Sequence, residues 1–439
     1  MTALALQDGD ESTMDFENRL FAHFEQQRTD DTIENVKDLD LEPIIPIRQE
    51  GKVISFRLDP ISDFLALSET KLELDLKIVD DAGADINPPA ADYAGCSWDQ
   101  SPLIMGIKSV DIRVNDLVVS SQDNEYSEAA YIMTLLGFDK NALDSKLESS
   151  MFFFMSSPDD NNALKAGSGF KKMAKITNGS DVHTVSGGIY SPFFMSELAL
   201  PPMNKLNVTL YLHDGAYALK SGVANGKFDF QVQGARMFFR RVKTTSDFQL
   251  RWENRLACSN AKFPLDWFYM KSFVIDAKRR SFSVSDCFNS SFVPARCYAF
   301  INSHDASVGM VANSALSFKP NNVRDIWIDM PNERCPNLPF NVDFSKSEYV
   351  RAFRALFGDN WSNNSCIIDM DHFGSEYTIW TFDMLQPQHS STLRSKQLGQ
   401  CRLNIDFIND SNPALKVHLL VMTHEILEMT SSRKFLKNF

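Results

Sequence analysis

Few residues of this chain have types and spacings that support catalysis or metal binding. Asp369 and Asp371 in IIDMDHF would share one face of a strand, where two carboxylates could hold a hard cation. The His424-Glu425 pair lies at the end of a strand pattern and lacks the second histidine of a zinc-binding helix. GSGFKK at residues 167–172 is glycine-rich and basic, as phosphate loops are, but it does not join a strand to a helix. We therefore interpret these stretches as a solvated strand face, a strand end and a flexible loop.

Recognisable catalytic motifs are missing from the sequence. It contains no G-x-x-x-x-G-K-[ST], no G-x-S-x-G, no H-E-x-x-H and no H-x-H, and its eight histidines are dispersed. The seven cysteines are scattered without a C-x-x-C pair, so we expect reduced, mostly buried thiols. They are Cys96, Cys258, Cys287, Cys297, Cys335, Cys366 and Cys401. The sequence thus predicts no catalytic residue, no metal site and no cofactor, and we expect that the protein is not an enzyme.

Length and composition limit the architecture. A chain of 439 residues with 44% hydrophobic residues suits two domains of roughly 200 residues each. No run approaches the ~20 apolar residues that cross a bilayer, and MTALALQDGDEST lacks the basic start of a signal peptide. We therefore expect a protein that is not secreted, in which the glycosylation sequons are accidental. These sequons lie at Asn178, Asn207, Asn289, Asn360, Asn363 and Asn409.

Most of the net charge of −13 belongs to an N-terminal arm, residues 1–42. This arm holds twelve acidic and three basic residues, a balance of −9 that leaves −4 for the rest of the chain. Its apolar residues fall on one side of a short predicted helix, and two interpretations stay open. One is a disordered acidic leader, and the other is a docking arm that becomes ordered against a neighbouring subunit. The apolar residues are Phe16, Leu20, Phe21 and Phe24.

The charge does not favour nucleic acid, because binding a phosphate backbone requires clustered lysine and arginine. The basic clusters are small, and we predict that they are solvated turns or a tail. They comprise Arg240 with Arg241, Lys278 with Arg279 and Arg280, and Arg433, Lys434 and Lys437 near the C-terminus.

Alternating apolar residues predict many strands. In KLELDLKIV, Leu72, Leu74, Leu76 and Ile78 would occupy one face, and similar alternation occurs near residues 110, 208, 403 and 417. Helical periodicity is confined mainly to the arm and two other stretches, which favours two all-β sandwiches or barrels over β/α folds. We predict long loops over the polar stretches 80–100, 156–188 and 302–322. A polar segment at 241–256 is expected to separate the two units.

The two other helical stretches belong to a repeated cassette. Residues 107–138 run from an alternating strand through a polar turn into a helical stretch that begins with Glu125-Tyr126. Residues 323–358 do the same, with Glu348-Tyr349 at the start of the helical stretch. The copies lie about half a chain apart, which is the spacing expected from duplication of a domain-sized unit.

The order of these segments resembles the double jelly-roll major capsid proteins of polinton-like elements, adintoviruses and virophages. In the first half EPIIPIRQEGKVISFRL, LALSETKLELDLKIV and the first cassette carry the resemblance. In the second half FPLDWFYMKSFVI, SFVPARCYAFI, FSKSEYVRAFRALFG and YTIWTFDMLQP, whose proline is Pro387, precede the closing strands of LGQCRLNIDFINDSNPALKVHLLVMTHEILEM. The resemblance covers residues 40–430, while the acidic arm and the 156–188 stretch depart from it.

The resemblance implies an all-β fold of two tandem jelly-roll β-sandwiches, each with a short helix inserted between strands. Combined with the pattern above, it predicts four regions. These are an acidic N-terminal arm with a short amphipathic helix at 1–42, a first jelly roll at 43–245, a second jelly roll at 246–430, and a short basic C-terminal tail at 431–439.

The function implied by the resemblance is that of a major capsid protein. Three copies would form a pseudo-hexameric homotrimer that tiles an icosahedral virion shell. Neighbouring capsomers, penton proteins and minor or cement proteins would be its partners, without sequence-specific nucleic acid binding, and an inner membrane is left open. Assembly is expected inside the host cell. Two alternatives are a tandem lectin-like carbohydrate-binding protein and a β-sandwich hydrolase, for which no acid/base pair is found.

Overall fold

The computed structural model describes most of the chain. The described residues are 32–44, 47, 51–86, 96–115, 117–121, 125–159, 169–222, 226–288, 292–307, 314–357, 365–384, 398–410 and 412–438. All strand pairing within them falls into two groups that do not mix, one before residue 245 and one after residue 260. We refer to these groups as the first and second sandwiches.

The first sandwich contains ten strands. These are β1 (Ile33–Leu41), β2 (Val53–Leu58), β3 (Phe64–Asp80), β4 (Cys96–Trp98), β5 (Ile107–Val114), β6 (Leu117–Ser121), β7 (His183–Gly187), β8 (Leu206–Leu212), β9 (Leu219–Ser221) and β10 (Phe228–Thr244). They form the sheets β1-β10-β3-β7 and β2-β8-β5-β6 and the small pair β4-β9.

The second sandwich contains nine strands. These are β11 (Ala261–Ile275), β12 (Ser281–Ser285), β13 (Arg296–Ser303), β14 (Val323–Asp329), β15 (Arg334–Cys335), β16 (Trp380–Asp383), β17 (Arg402–Phe407), β18 (Leu415–Met429) and β19 (Phe435–Asn438). They form the sheets β11-β18-β13-β16, with β19 also paired to β18, and β12-β17-β14-β15.

The two sandwiches share one topology. If the small pair β4-β9 and the terminal β19 are set aside, each sandwich has eight strands in chain order. In both sandwiches one sheet has the order 1-8-3-6 and the other has the order 2-7-4-5, with antiparallel pairing throughout. Two four-stranded antiparallel sheets with long Greek-key connections make a jelly roll. The predicted fold of two tandem jelly rolls is therefore confirmed.

Side-chain alternation places the core between the sheets, as the sequence predicts. Leu72, Leu74, Leu76 and Ile78 of β3 are all buried, while the charged residues between them are less buried. The same alternation buries the apolar residues of β5, β8 and β17. Burying one face of each strand supplies the hydrophobic driving force that holds paired sheets together.

Short helices lie in the connections between strands. They are α1 (Pro102–Met105), α2 (Tyr126–Gly137), α3 (Lys140–Leu143), α4 (Gly169–Thr177), α5 (Gly215–Ala218), α6 (Ser246–Cys258), α7 (His304–Ser307), α8 (Val350–Ala355) and α9 (Met370–Phe373), with 3-10 turns at Lys146–Ser150 and Phe344–Lys346. The helices of the two cassettes, α2 and α8, each follow the fifth of the eight strands. No helix in the described part of the chain is long and apolar enough to cross a membrane.

The loop prediction for 156–188 is wrong over much of its length. Residues 169–177 form α4, which packs against β4, and 183–187 form β7. Phe170, Met173, Ala174 and Thr177 are buried at positions i, i+3, i+4 and i+7, a helical period that the surrounding Gly, Ser and Asn residues obscure. GSGFKK therefore leads into a helix, with residues 167 and 168 outside the described part.

The other two predicted loops and the polar separator also contain regular structure. β4 lies within 80–100 and α7 within 302–322. The separator at 241–256 includes the end of β10 and most of α6, in which only Leu256 is buried. The helix was missed because an exposed helix lacks a continuous apolar stripe; the rings of Phe248 and Trp252 pack on Phe64, with centroids 5.9 and 5.8 Å away.

Both termini differ from the predicted arm and tail. Residues 33–41, assigned to the arm, form β1 along the edge of β10, and residues 435–438, assigned to the tail, form β19 beside β18. β1 is mostly exposed, so no apolar alternation signals it. Backbone pairing and cross-strand ion pairs hold it instead, including Glu34 with Lys243 at 2.7 Å. The predicted arm helix at residues 16–24 lies outside the described residues.

Candidate functional site at the interface between the sandwiches

The residues singled out for chemistry do not form a site. Asp369 is not on a strand; it caps α9, where its side chain accepts a hydrogen bond from the backbone N–H of His372 at 3.0 Å. The same carboxylate lies 2.6 Å from the Nδ1 of His372 and 3.4 Å from the ammonium of Lys140. His424 lies within β18, and its Nδ1 is 2.7 Å from the Asp266 carboxylate. Among the described residues no group of three or more His, Cys, Asp or Glu side chains could hold a metal.

The three basic clusters, predicted to be solvated turns or a tail, have different surroundings. Arg240 and Arg241 lie on β10, where Arg240 pairs with Glu69 and the Nε of Arg241 is 2.9 Å from the Asp63 carboxylate. Arg433 lies in the turn before β19, where it donates to the backbone carbonyl of Pro202 and pairs with Glu253. The Lys278–Arg280 cluster does lie in the turn between β11 and β12.

The prediction that the cysteines are mostly buried is confirmed. Cys96, Cys287, Cys297, Cys366 and Cys401 are buried, Cys335 is half-buried, and all seven are free. Burial raises the pKa of the Cys287 thiol to about 12 and that of the Cys401 thiol to about 11, so these thiols stay protonated at neutral pH. Cys258 on α6 is exposed.

The most elaborate polar arrangement lies between the two sandwiches. Asp99 follows β4, and its Oδ2 accepts a hydrogen bond from the Ser314 hydroxyl of the second sandwich at 2.7 Å. Lys220 on β9 is only 1% exposed; its ammonium is 3.8 Å from Asp99 Oδ1 and donates to the carbonyl of Pro158. Asp99 and Lys220 therefore form a buried ion pair within the first sandwich, and the hydrogen bond from Ser314 joins this pair to the second sandwich.

Asp159 continues this polar cluster toward solvent. Its carboxylate accepts hydrogen bonds from the Ser314 amide at 3.0 Å, the Ser317 hydroxyl at 3.2 Å and the Lys319 ammonium at 2.7 Å. The same Ser317 hydroxyl lies 2.6 Å from the Glu376 carboxylate, and its single hydrogen is shared between the two carboxylates. The second sandwich thus supplies all three donors that satisfy this one carboxylate of the first.

The two carboxylates of the cluster have opposite pKa shifts. Burial raises the pKa of Asp99, and the nearby Lys220 and the Ser314 hydroxyl only partly offset this. Burial would also raise the pKa of Asp159, but the hydrogen bonds from Lys319 and the Ser314 amide outweigh it, so that pKa lies below its usual value. Asp159 is therefore ionised at neutral pH and attracts Lys319 across the interface.

Helix α2 forms a second part of the interface. Glu125, the residue before it, accepts a hydrogen bond from Ser272 of β11 at 2.8 Å and lies 3.6 Å from Lys416 of β18. Tyr131 packs edge-on against Phe318, with ring centroids 6.0 Å apart. At the end of α2 the carbonyl of Leu135 accepts a hydrogen bond from the backbone N–H of Ile367 at 3.1 Å. The helix of the first cassette is thus covered by the second sandwich.

Aromatic stacking and the C-terminal turn complete the contact. Phe154 stacks on Tyr377 with ring centroids 5.0 Å apart, and the buried Tyr377 hydroxyl donates to the carbonyl of Met155. Elsewhere Asn115 donates to the carbonyl of Arg433 at 2.8 Å. Charged, aromatic and backbone contacts therefore all cross the interface between the two sandwiches.

Sequence reasoning missed these interface residues. Asp99, Lys220 and Asp159 stand in stretches predicted to be loops or left unassigned, and none belongs to a motif. Ser314, which contacts both Asp99 and Asp159, is more than 150 positions away from each of them in the sequence, so no local pattern could reveal the contacts. Only Glu125 and Tyr131 had a signal, because they belong to the repeated cassette.

Comparison with known proteins gives matches in structure but not in sequence. No family model matches the chain, and no curated protein matches it. A chain of the Sputnik virophage structure superposes with a TM-score of 0.63 at 10% identity, covering 100% of this chain and 93% of that one. The mavirus major capsid protein gives 0.53 at 8%, with coverage of 100% and 96%.

A third solved structure agrees with these two. The Faustovirus major capsid protein superposes with a TM-score of 0.54 at 7% identity, covering 92% of each chain. At such identities the likeness concerns the fold, and it extends over both sandwiches together. The chain has the double jelly-roll fold, the fold of these viral major capsid proteins.

Proposed function

We propose that this chain is the major capsid protein of a virus or virus-like element, a structural subunit without catalytic activity. The observation that carries the proposal is the coverage of the structural likeness. Matches that span 92% or more of this chain and of each compared chain include both sandwiches in one arrangement, and every structure compared is viral. The tandem carbohydrate-binding alternative is not favoured.

The extensive contact between the sandwiches supports a building-block role. Two similar jelly rolls held side by side give each chain two similar outer walls, and three chains then present six. We propose a homotrimer of this kind, with neighbouring trimers, penton proteins and minor capsid proteins as its partners in the virion. Assembly would take place inside the host cell.

As domain limits we propose a division at residues 245/246, the junction between β10 and α6. The acidic residues before β1 are proposed as an arm that docks on neighbouring subunits. Because residues 33–41 pair with β10, this arm comprises residues 1–31. The same limit applies to any deletion meant to test the arm without removing a strand of the first sandwich.

The mass of the purified chain in solution tests the proposal. Native mass spectrometry or sedimentation equilibrium should give three times the chain mass of 49.7 kDa, and electron microscopy of concentrated protein should show hexagonal plates or closed particles. A chain that stays monomeric at high concentration and binds glycans would contradict the capsid role. Deletion of residues 1–31 should leave trimers and impair particles; intact particles from that variant would contradict the docking arm alone.

A further inference from the structure

Asp99 and Lys220 lie side by side on the small strand pair β4-β9. Ser97 of β4 stands opposite Lys220 of β9, and the backbone N–H of Asp99 donates to the carbonyl of Ala218 at 3.0 Å. Asp99 and Lys220 are therefore diagonal neighbours across an antiparallel pair, an arrangement that lets a long side chain reach its neighbour. Their side chains are only 4% and 1% exposed. The two strands thus hold a carboxyl group and an amine next to each other, away from solvent.

The two oxygens of the Asp99 carboxyl group have different surroundings. Oδ2 accepts the 2.7 Å hydrogen bond from the Ser314 hydroxyl, whereas Oδ1 is buried and has no hydrogen-bond partner among the described residues. The Lys220 Nζ lies 3.8 Å from Oδ1, which is beyond the length of a hydrogen bond. A buried ion pair recovers its desolvation cost only when its hydrogen bonds are complete, and those of this pair are not.

The surroundings favour a protonated carboxyl group. Burial raises the pKa of Asp99, and the charge of Asp159 adds to this effect, while Lys220 and the Ser314 hydroxyl offset only part of it. Transfer of one proton from the ammonium to the carboxylate replaces two buried ions with a neutral acid and a neutral amine, which a buried site favours. A desolvated neutral amine is a nucleophile, so the pair has the two groups that amide formation requires.

We propose that Asp99 and Lys220 condense into an amide that links β4 to β9 covalently. A newly folded chain holds the two residues as an ion pair, and the link forms from that state after the proton transfer. The Nζ lone pair attacks Cγ and forms the C–N bond, while negative charge develops on Oδ2, where the Ser314 hydroxyl already donates. A second proton moves from the nitrogen to Oδ1, the Cγ–Oδ1 bond breaks, and water leaves.

The atoms balance without a further reactant. Of the three ammonium hydrogens, one stays on the amide nitrogen and two leave in the water together with Oδ1. No atom is oxidised or reduced, so the step needs no oxidant, reductant or cofactor. Each chain reacts once with itself, and the link is therefore a modification of the subunit and not an enzymatic turnover.

The product suits the site better than the ion pair does. The amide keeps Oδ2 with its hydrogen bond from Ser314, and the oxygen that departs is the one without a partner among the described residues. The amide N–H remains beside the carbonyl of Pro158, to which the Lys220 Nζ already donates. The polar cluster continues from Ser314 to Asp159, whose side chain is 25% exposed, and this gives the released water a route to solvent. No charge stays buried at Asp99 or Lys220 after the reaction.

A second lysine–aspartate pair of the first sandwich has similar spacing without burial. The Lys227 Nζ lies 4.0 Å from the Asp81 carboxylate, and these side chains are 78% and 73% exposed. Water stabilises both ions there, and an ammonium has no lone pair with which to attack. The exposed pair should therefore not condense, and it serves as an internal control in the same chain.

Peptide mass mapping of the full-length chain tests the link. The purified protein is incubated at pH 7, and samples taken over several days are denatured, reduced and digested with trypsin and chymotrypsin. One branched peptide should accumulate that joins the segments around Asp99 and Lys220, with a mass lower by one water molecule than the sum of the two segments. Fragmentation of this peptide should locate the link at Asp99 and Lys220, and no peptide should join Asp81 to Lys227. The linked chain should also migrate faster in denaturing electrophoresis, because the loop between residues 99 and 220 stays closed.

Three variants assign the roles of the residues. Lys220→Arg keeps the positive charge but removes the amine, and it should lose the branched peptide completely. Ser314→Ala lacks the donor to Oδ2 and should form the link at least about tenfold more slowly, a change in rate that a purely structural role would not produce. The matched control Lys227→Arg should form the link at the wild-type rate.

The wild-type chain alone decides the proposal, even if Lys220→Arg or Ser314→Ala does not fold as judged by circular dichroism. Absence of the branched peptide from wild-type protein at every time point would overturn the link. A branched peptide that persists in folded Lys220→Arg would overturn it as well, because another lysine would then supply the nitrogen. The link lies within one chain, so either result leaves the capsid role standing, and a monomeric chain would contradict that role without affecting the link.

Discussion

The Ser314 hydroxyl donates a hydrogen bond of 2.7 Å to the buried carboxylate of Asp99, although 215 positions separate the two residues. This bond links the end of β4 in the first sandwich to the segment before β14 in the second. The buried ammonium of Lys220 lies 3.8 Å from the other oxygen of the same carboxylate. The Asp99 carboxylate therefore has one partner in each sandwich, Lys220 in the first and Ser314 in the second.

Replacement of Lys220 should destabilise the chain strongly. Lys220→Met removes the buried cation and leaves Asp99 without its positive neighbour, a change that costs about 3–5 kcal/mol when one member of a buried pair is lost. The free energy of unfolding, measured by urea titration, should fall by that amount. The matched control is Lys227→Met, because Lys227 is 78% exposed and its nearest carboxylate oxygen, on Asp81, is 4.0 Å away.

The control variant should change the free energy of unfolding by less than about 0.5 kcal/mol. Adding Asp99→Asn to Lys220→Met should recover part of the loss, since the neutral amide no longer needs a counter-charge. Equal stability of Lys220→Met and wild type would contradict the assigned role of the buried pair.

Buried histidines should make the chain sensitive to acid. Burial lowers the pKa of His213 to about 3, with smaller effects of Lys108 and Lys52, while an unfolded histidine has a pKa near 6.5. The unfolded chain therefore takes up a proton below pH ~6.5 that the folded chain rejects, and stability falls from there down to about pH 3. The loss between pH 7 and pH 4 is on the order of 3 kcal/mol for this residue.

The variant His213→Gln should flatten this pH dependence. Glutamine does not titrate and can still reach the Ser127 hydroxyl, which lies 3.0 Å from the imidazole Nε2. Unfolding free energies at pH 7, 6, 5 and 4 should show a smaller slope than those of the wild type. His424 is the matched control, because its hydrogen bond with Asp266 raises its pKa, so its contribution is lost as pH rises and not as it falls.

Much of the fold could be predicted because alternating burial leaves a local pattern. The residues of β3, β5, β8 and β17 that alternate in the sequence are those that alternate in burial. β1 has no such pattern, since an exposed edge strand is held by backbone bonds and by pairs such as Asp38 opposite Arg240. Helix α6 could not be predicted either, because an exposed helix needs no apolar stripe.

The interface between the sandwiches could be predicted only where the chain repeats itself. The repeated cassette identifies Glu125 and Glu348 as equivalent residues. Glu125 contacts the second sandwich, whereas Glu348 is exposed. Asp99, Asp159 and Lys220 have no such mark, because their roles depend on partners brought close by the tertiary fold. A single sequence records the types of these residues but not their neighbours.

Deletions at the N-terminus should separate the arm from the first sandwich. Removal of residues 1–31 leaves β1 intact and should not change the melting temperature. Removal of residues 1–42 takes away a nine-residue strand and exposes the edge of β10, at a cost of about 3 kcal/mol or more from lost backbone pairing. Differential scanning calorimetry on both variants checks this, and equal melting temperatures would contradict the place of β1 in the sheet.

The helix of the second cassette should be essential for folding of the second sandwich. Tyr349 stacks on Phe344 with centroids 5.1 Å apart, and Phe353 packs on Phe373 at 5.5 Å. The triple variant Tyr349→Ala/Phe353→Ala/Leu356→Ala removes three buried or half-buried side chains, each worth about 2–5 kcal/mol. The sum, about 6–15 kcal/mol, is as large as the whole stability of a typical domain, so the second sandwich should not fold.

A matched substitution at an exposed helical residue outside the cassette, Leu250→Ala in α6, should leave melting unchanged within about 1 kcal/mol, because Leu250 is 61% exposed. Circular dichroism and tryptophan fluorescence report the outcome, because Trp380 lies edge-on to Phe344 at 6.1 Å. Normal melting of the triple variant would contradict the structural role of the cassette.

Thiol chemistry should report the packing of the whole chain in one measurement. Cys258 is exposed, Cys335 is half-buried, and the other five cysteines are buried. Burial raises the pKa of Cys335 to about 12, so that thiol is protonated as well as shielded. An aromatic disulfide reagent at pH 8 should therefore react quickly with one thiol per folded chain and with seven after denaturation. The variant Cys258→Ser should lose the fast reaction. Any fast thiol in that variant would show that one of the six remaining cysteines is less protected than the packing of the two sandwiches requires.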